Sequence, residues 1–234
     1  MTDIKGVAFD LEGTVVDVEA AHHRAHLAIA KEAGVTLTLD QALKQIPHFI
    51  GGPDNKIAEE IWGLGNKRLS AQELLALDKK YYNQFLETME IAPRPGFLDV
   101  LEEIRSRGLA VAIGSLTPTV QAKVLLEHSG LATLFGEKHI VFAEHVANLK
   151  PAPDVFLKTT DFMGIRPENQ LVFEDSPRGV QAAIAAGSAA VIGMPAYNRP
   201  DTIAALEKAG TKKIYLSWED IDFGTLLAEL AQSI

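Results

Sequence analysis

Short apolar runs without strict alternation recur along the chain, separated by stretches whose apolar positions repeat at intervals of three and four. The runs Lys5–Phe9, Leu109–Gly114, His139–Phe142, Gln170–Phe173, Ala189–Ile192 and Lys213–Leu216 predict strands covered on both faces. Between them, Phe97–Arg107, Thr117–Ser129, Ala152–Met163, Arg178–Ala186, Thr202–Ala209 and Glu219–Ala231 predict helices. Gly108, Gly130, Gly164, Gly187 and Gly210 follow five of these as C-terminal stops. Such alternation predicts an α/β fold built on a doubly wound parallel sheet.

The first strand breaks the rhythm. Residues 10–108 contain little that reads as β, and Glu19–Ala33, Leu39–Lys44, Asp54–Leu64 and Ala71–Glu87 read as consecutive helices. Val35–Leu39 alternates like a strand, but its place between two helices makes it a connector. The prolines of Ala92-Pro93-Arg94-Pro95-Gly96 stiffen a return to the sheet. The expected organisation is therefore a core of residues 1–17 and 94–234, with an inserted helical cap of residues 18–93.

A chain of 234 residues with 47% hydrophobic content can bury a core of this size. It has no cysteine, which excludes disulfides, thiolate metal sites and cysteine nucleophiles. A net charge of −9 without any Lys/Arg block argues against nucleic acid and against anionic membranes as partners. Met1–Lys5 lacks the basic n-region of a signal peptide, and no apolar run reaches the roughly 20 residues that span a bilayer. A cytoplasmic monomer is expected. If its substrate is an anion, positive charge must come from a metal or from placed Lys and Arg.

Four stretches carry candidate chemistry. Gly6–Phe9 runs into Asp10-Leu11-Glu12-Gly13-Thr14, a strand ending in a loop with two carboxylates. Gly114-Ser115-Leu116-Thr117-Pro118 places hydroxyls where a strand gives way to a helix, which suits phosphate binding or, more plainly, helix capping. Lys150 precedes Pro151, which holds it out of helical geometry and permits a cis peptide bond. Val172-Phe173 leads into the adjacent acids Glu174-Asp175, then Ser176-Pro177 and a small-residue helix. Two carboxylates at about 4 Å repel by a few kcal/mol at an effective dielectric near 20, and a hard divalent cation relieves that. Taken singly, each stretch has a bland reading as a turn, a cap or an exposed lysine. Together they sit at the C-terminal ends of successive predicted strands or just beyond them, which in a doubly wound sheet surround one crevice.

With these four stretches the chain resembles the haloacid dehalogenase superfamily, whose core is a Rossmann-like sheet, over nearly its whole length. The segments Leu149–Phe156 and Val172–Gly187 are similar to the β-phosphoglucomutase-like subgroup of sugar-phosphate phosphatases and mutases. The resemblance implies that Asp10 is the nucleophile forming an aspartyl-phosphate. Glu12 stands where the general acid and base is usually Asp, with its backbone carbonyl on the metal. Gly114, Ser115 and Lys150 would hold the phosphoryl group. Mg²⁺ would be held by Asp10, Glu12 and Asp175, and by Glu174 through water. His22 and Arg24 occupy positions of cap residues that reach substrate.

The chain also departs from that pattern. Glu12 carries its carboxyl one methylene further out, although enolase-phosphatases of the superfamily resemble it in this. Pro53 and Asp54, after Gly51-Gly52, stand where mutases carry Ser and an Arg for a second phosphate. His22 and His26 share the i, i+4 spacing of a helical zinc pair, but the sequence shows no third ligand. The leading expectation is a Mg²⁺-dependent phosphatase of a small phosphorylated metabolite such as a sugar phosphate. A phosphomutase, and a phosphate-binding protein weakened by Glu12, are the alternatives.

Overall fold

The computed structural model describes residues 3–50 and 53–232, and two compact units divide the chain. The larger comprises residues 1–17 and 91–234; the other is residues 18–90. The second junction falls three residues before Arg94, because Pro93 already bridges Val16 and Arg94 N donates to Val15 O at 2.7 Å.

In the larger unit, six strands form one parallel sheet: β1 (Gly6–Phe9), β2 (Ala110–Gly114), β3 (Ile140–Val141), β4 (Gln170–Glu174), β5 (Ala190–Gly193) and β6 (Lys213–Ile214). Their order is β3-β2-β1-β4-β5-β6, so the connections reverse direction between β1 and β4. All six strands follow the apolar runs. The register aligns Phe9 with Ile113 on one side and Phe173 on the other.

Side-chain alternation sends neighbouring strand residues to opposite faces. Ala8, Val172 and Val191 pack with Val155, Phe156 and Val180. Phe9 and Phe173 stack at 5.6 Å between centroids, with Phe97 edge-on to Phe9 at 5.3 Å. Trp218 closes this aromatic cluster, and its Nε1–H donates to Thr14 O at 2.9 Å. Phe97, Val100, Leu101 and Ile104 are buried at i, i+3, i+4 and i+7 of the helix Phe97–Ser106, which explains its orientation.

Several helices begin later than their pattern suggests. Thr119–His128 starts two residues beyond Thr117, and Asp154–Met163 two beyond Ala152; both follow a proline. The expected helix from Glu219 starts instead at Phe223, after a 3₁₀ turn at Trp218–Asp220. A short helix, Leu131–Phe135, was not signalled by any long period.

The second unit contains α1 (Glu19–Glu32), α2 (Leu39–Gln45), α3 (Asp54–Leu64) and α4 (Ala71–Thr88). Thr38 and Ser70 form capping boxes with Gln41 and Glu73, so Val35–Leu37 is a connector into a capped helix. Its core is Ile29, Ala42, Ile46, Phe49, Ile57, Ile61 and Leu74. No helix among the described residues is long and apolar enough to cross a membrane.

Candidate active site

Asp10 begins where β1 ends, and its N–H still donates to Phe173 O at 3.0 Å. That bond ties the β1 loop to β4, the strand on the far side of the topological switch. β4 ends at Glu174, so Asp10, Glu174 and Asp175 meet: one oxygen from each lies within 4.8 Å of the others. Lys150 stands among them. Its Nζ donates to Asp10 Oδ1 at 2.5 Å and to Glu174 Oε1 at 2.6 Å. The Lys150–Pro151 bond is cis.

The partners of each acid differ. Glu174 is fully buried, with its second oxygen, Oε2, accepting from Ser176 N at 2.8 Å and Ser176 Oγ at 3.0 Å. Ser176 Oγ also caps the helix Pro177–Ala185 by accepting from Gly179 N at 3.1 Å. The acid pair and the capped turn are thus one structure. Asp175 Oδ1 accepts from the buried Thr14 hydroxyl at 3.2 Å. Two glycines make room for these carboxylates. A Cβ on Gly179 would lie 1.6 Å from Glu174 Oε1, and one on Gly13 would lie 2.4 Å from Asp175 Oδ2. Gly13 also has φ +79°, which disfavours any side chain.

Electrostatics follow from the crowding. Burial, and then the neighbouring charge of Glu174, push Asp10 up to about 7, against the opposing pull of Lys150. Asp175 is raised well above the usual carboxylate range, first by burial and then by Glu174 and Asp10. Burial works against the charge on Lys150, yet Asp10 and Glu174 outweigh it and the ammonium is held more firmly than usual. One lysine thus faces three acids. An all-carboxylate donor set of this kind fits a hard divalent cation such as Mg²⁺, and Asp10 and Asp175 could hold it.

Glu12 points elsewhere. Its Oε1 accepts from the Thr117 hydroxyl at 2.7 Å, and Thr117 Oγ1 in turn accepts from Ser115 Oγ at 2.8 Å. Thr117 N donates to Ser115 Oγ at 3.1 Å. Neither hydroxyl caps the following helix; Glu144 does so, accepting from Thr119 N at 3.0 Å and 3.1 Å. The capping explanation for Ser115 and Thr117 is therefore replaced by a relay from the β2 end to Glu12. Gly114, the last residue of β2, is buried beside it.

Thr117, read from the sequence as a hydroxyl or a cap, proves to be a partner of Glu12. Arg94 lies outside the sequence-derived set: its Nη1 donates to Gly13 O at 2.7 Å and Met194 O at 2.8 Å. Its Nη2 donates to Pro195 O at 3.2 Å and Leu216 O at 3.0 Å, pinning the β1 loop to the β5 and β6 ends. The only signal for Arg94 is its place between two prolines in the re-entry segment. His22 and Arg24 belong to α1 of the helical unit, where His22 stacks on Tyr82 at 4.1 Å and Arg24 is exposed. Gly51 and Gly52 lie outside the described residues.

Acids and hydroxyls thus stand at the ends of β1, β2 and β4 of one parallel sheet, and Lys150 reaches them from the segment after β3. The family model for haloacid dehalogenase-like hydrolases matches residues 4–187, and the chain belongs to that family. It is similar to the fructose-1-phosphate phosphatase YqaB of Escherichia coli (strain K12), 34% identical over 186 residues, covering 80% of this chain and 94% of that protein. It is also similar to a phosphorylated carbohydrates phosphatase of Thermotoga maritima, 29% identical over 82% of this chain and 85% of that protein. Among solved structures, a haloacid dehalogenase-like protein of Agrobacterium tumefaciens superposes with a TM-score of 0.79 at 25% identity, covering 98% of this chain and 100% of that one.

Proposed function

We propose that this enzyme is a Mg²⁺-dependent phosphatase that hydrolyses a small sugar phosphate through an aspartyl-phosphate on Asp10. Membership of the family, with phosphatases among its relatives, makes it a phosphoric monoester hydrolase. The carrying observation is Lys150 bonded to both Asp10 and Glu174 at the switch point, inside a cluster of three carboxylates. Sugar phosphate as the substrate class rests on relatives named for fructose 1-phosphate and for phosphorylated carbohydrates.

In this reading Asp10 uses its carboxylate as the nucleophile, and Lys150 keeps it anionic while offering an ammonium to the phosphoryl oxygens. Ser115 supplies a hydroxyl, and the β2 end supplies backbone, to the same group. Bound by Asp10, Asp175 and the Glu12 backbone carbonyl, Mg²⁺ would neutralise charge on the transferring phosphoryl group. Glu174 has both oxygens engaged by Lys150 and Ser176, so its part is to aim Lys150 and to contribute charge. Glu12 protonates the leaving sugar oxygen and then takes a proton from the hydrolytic water. The Thr117 hydroxyl orients it, which answers the extra methylene: the longer side chain is held back by a bond at 2.7 Å.

The test is phosphate release from a panel of hexose and triose phosphates with and without Mg²⁺. Turnover that requires Mg²⁺ and disappears in Asp10→Asn supports the reading. Isomerisation of a hexose 1-phosphate in the presence of its bisphosphate, without net phosphate release, would instead identify a mutase.

A further inference from the structure

The histidine pair on α1 gains, in the folded helical unit, the third ligand that the sequence does not show. His22 and His26 lie one turn apart with ring centroids at 5.9 Å, and Asp54 opens α3 beside them. One donor atom from each of His22, His26 and Asp54 lies within 4.8 Å of the others. Donors sharing one zinc at 2.0–2.1 Å stand about 3.3 Å apart, so small side-chain rotations close this set.

A second, independent observation concerns His26. It is 2% exposed, and its Nδ1 lies 2.8 Å from a carboxylate oxygen of Asp78, which is itself 2% exposed. A carboxylate accepts there, so Nδ1 is the donor and Nε2 is the nitrogen left to ligate a metal. That is the arrangement in which outer carboxylates orient metal-ligating histidines. The neighbouring rings are held too: His22 stacks on Tyr82 with an interplanar angle of 18°, and Phe49 stands edge-on to His26 at 5.5 Å.

We propose that His22, His26 and Asp54 form a site for a borderline divalent transition cation of the zinc class, with Asp78 as its positioning residue. Two imidazoles and one carboxylate suit Zn²⁺, Co²⁺ or Ni²⁺ over Mg²⁺, and a fourth position stays open to water or an anionic oxygen. Bound metal would tie α1 to the start of α3. The donor set is distinct in chemistry from the all-oxygen cluster of Asp10, Glu174 and Asp175.

The experiment titrates Co²⁺ into the full-length protein in excess Mg²⁺, reading visible absorption, and repeats this with His22→Ala, Asp54→Asn and Asp78→Asn. The expected result is one equivalent of Co²⁺ giving the intense bands of a four-coordinate site, displaced by Zn²⁺. His22→Ala and Asp54→Asn should abolish the bands while leaving far-UV circular dichroism unchanged. Asp78→Asn should weaken binding by about 10–100-fold. Zn²⁺ should also raise the melting temperature of the native protein but not of His22→Ala. Weak six-coordinate bands, no binding under Mg²⁺, or bands that persist in His22→Ala and Asp54→Asn would overturn the proposal.

Discussion

Opposed influences meet at Asp10: burial, Glu174 and Glu12 favour its neutral form, and Lys150 favours its charge. The ion pair at 2.5 Å is therefore what keeps a nucleophile available in a site that otherwise protonates it. Replacing Lys150 by Met should remove the ammonium that Asp10 and Glu174 share, and phosphatase activity should vanish at all Mg²⁺ concentrations tested by phosphate release. Thr117 tests the other half of the proposed chemistry. Its hydroxyl donates to Glu12, a bond to a charged group worth about 1.5–3 kcal/mol, so Thr117→Val should lower kcat by about 10–100-fold. KM should change little, and the fall should be visible in steady-state assays. Asp10 and the acid pair were legible because each sits at a strand end near a breaker such as Gly13 or Pro177, and Lys150 because Pro151 follows it in the loop beyond β3. The Glu12–Thr117 bond was not, because 105 residues separate its partners and Thr117 reads equally well as a cap. The same holds for His26 and Asp78, 52 residues apart on different helices.

Among the elements, the turn from β4 into the helix Pro177–Ala185 does two jobs, capping a helix and burying Glu174 against it. Gly179 is where these meet. Gly179→Ala must displace either the helix or the Glu174 carboxylate, and a loss of about 1–3 kcal/mol is expected from overpacking alone. Chemical denaturation measures this directly. Trp218 braces the same loop from its backbone: Trp218→Phe leaves the buried Thr14 carbonyl without its donor, and about 1–3 kcal/mol of stability should be lost. The strands were readable from unbroken apolar runs, since sheet residues covered on both faces need no polar alternation. Helix starts were less so. Pro118 and Pro153 fit either the first helical turn or the residue before it, and tertiary partners such as Glu144 decide between them. The 3₁₀ turn at Trp218–Asp220 is fixed by the aromatic cluster, which no local pattern reports.

For the whole molecule, strand order is the item that sequence leaves open and folding supplies. Alternation predicted a parallel sheet, and the observed order β3-β2-β1-β4-β5-β6 makes β1 and β4 neighbours and so brings Asp10 to Asp175. The clustered acids also couple stability to pH. Asp10 keeps its proton to a higher pH in the native state than in the unfolded chain, so the metal-free protein should lose stability as pH rises from about 4 to about 7, and the raised Asp175 adds to the loss in the same direction. Mg²⁺ competes with those protons. It should therefore raise the melting temperature clearly at pH 7.5 and much less at pH 5, as differential scanning calorimetry can record. The most direct test of the proposed chemistry is trapping of the phosphorylated protein. Incubated with a turned-over sugar phosphate, Mg²⁺ and beryllium or aluminium fluoride as phosphoryl mimics, or quenched in acid for mass spectrometry, the protein should carry its phosphoryl group or mimic on Asp10. Asp10→Asn should carry none. A phosphoryl group on another residue, or steady turnover with Asp10→Asn, would contradict Asp10 as the nucleophile.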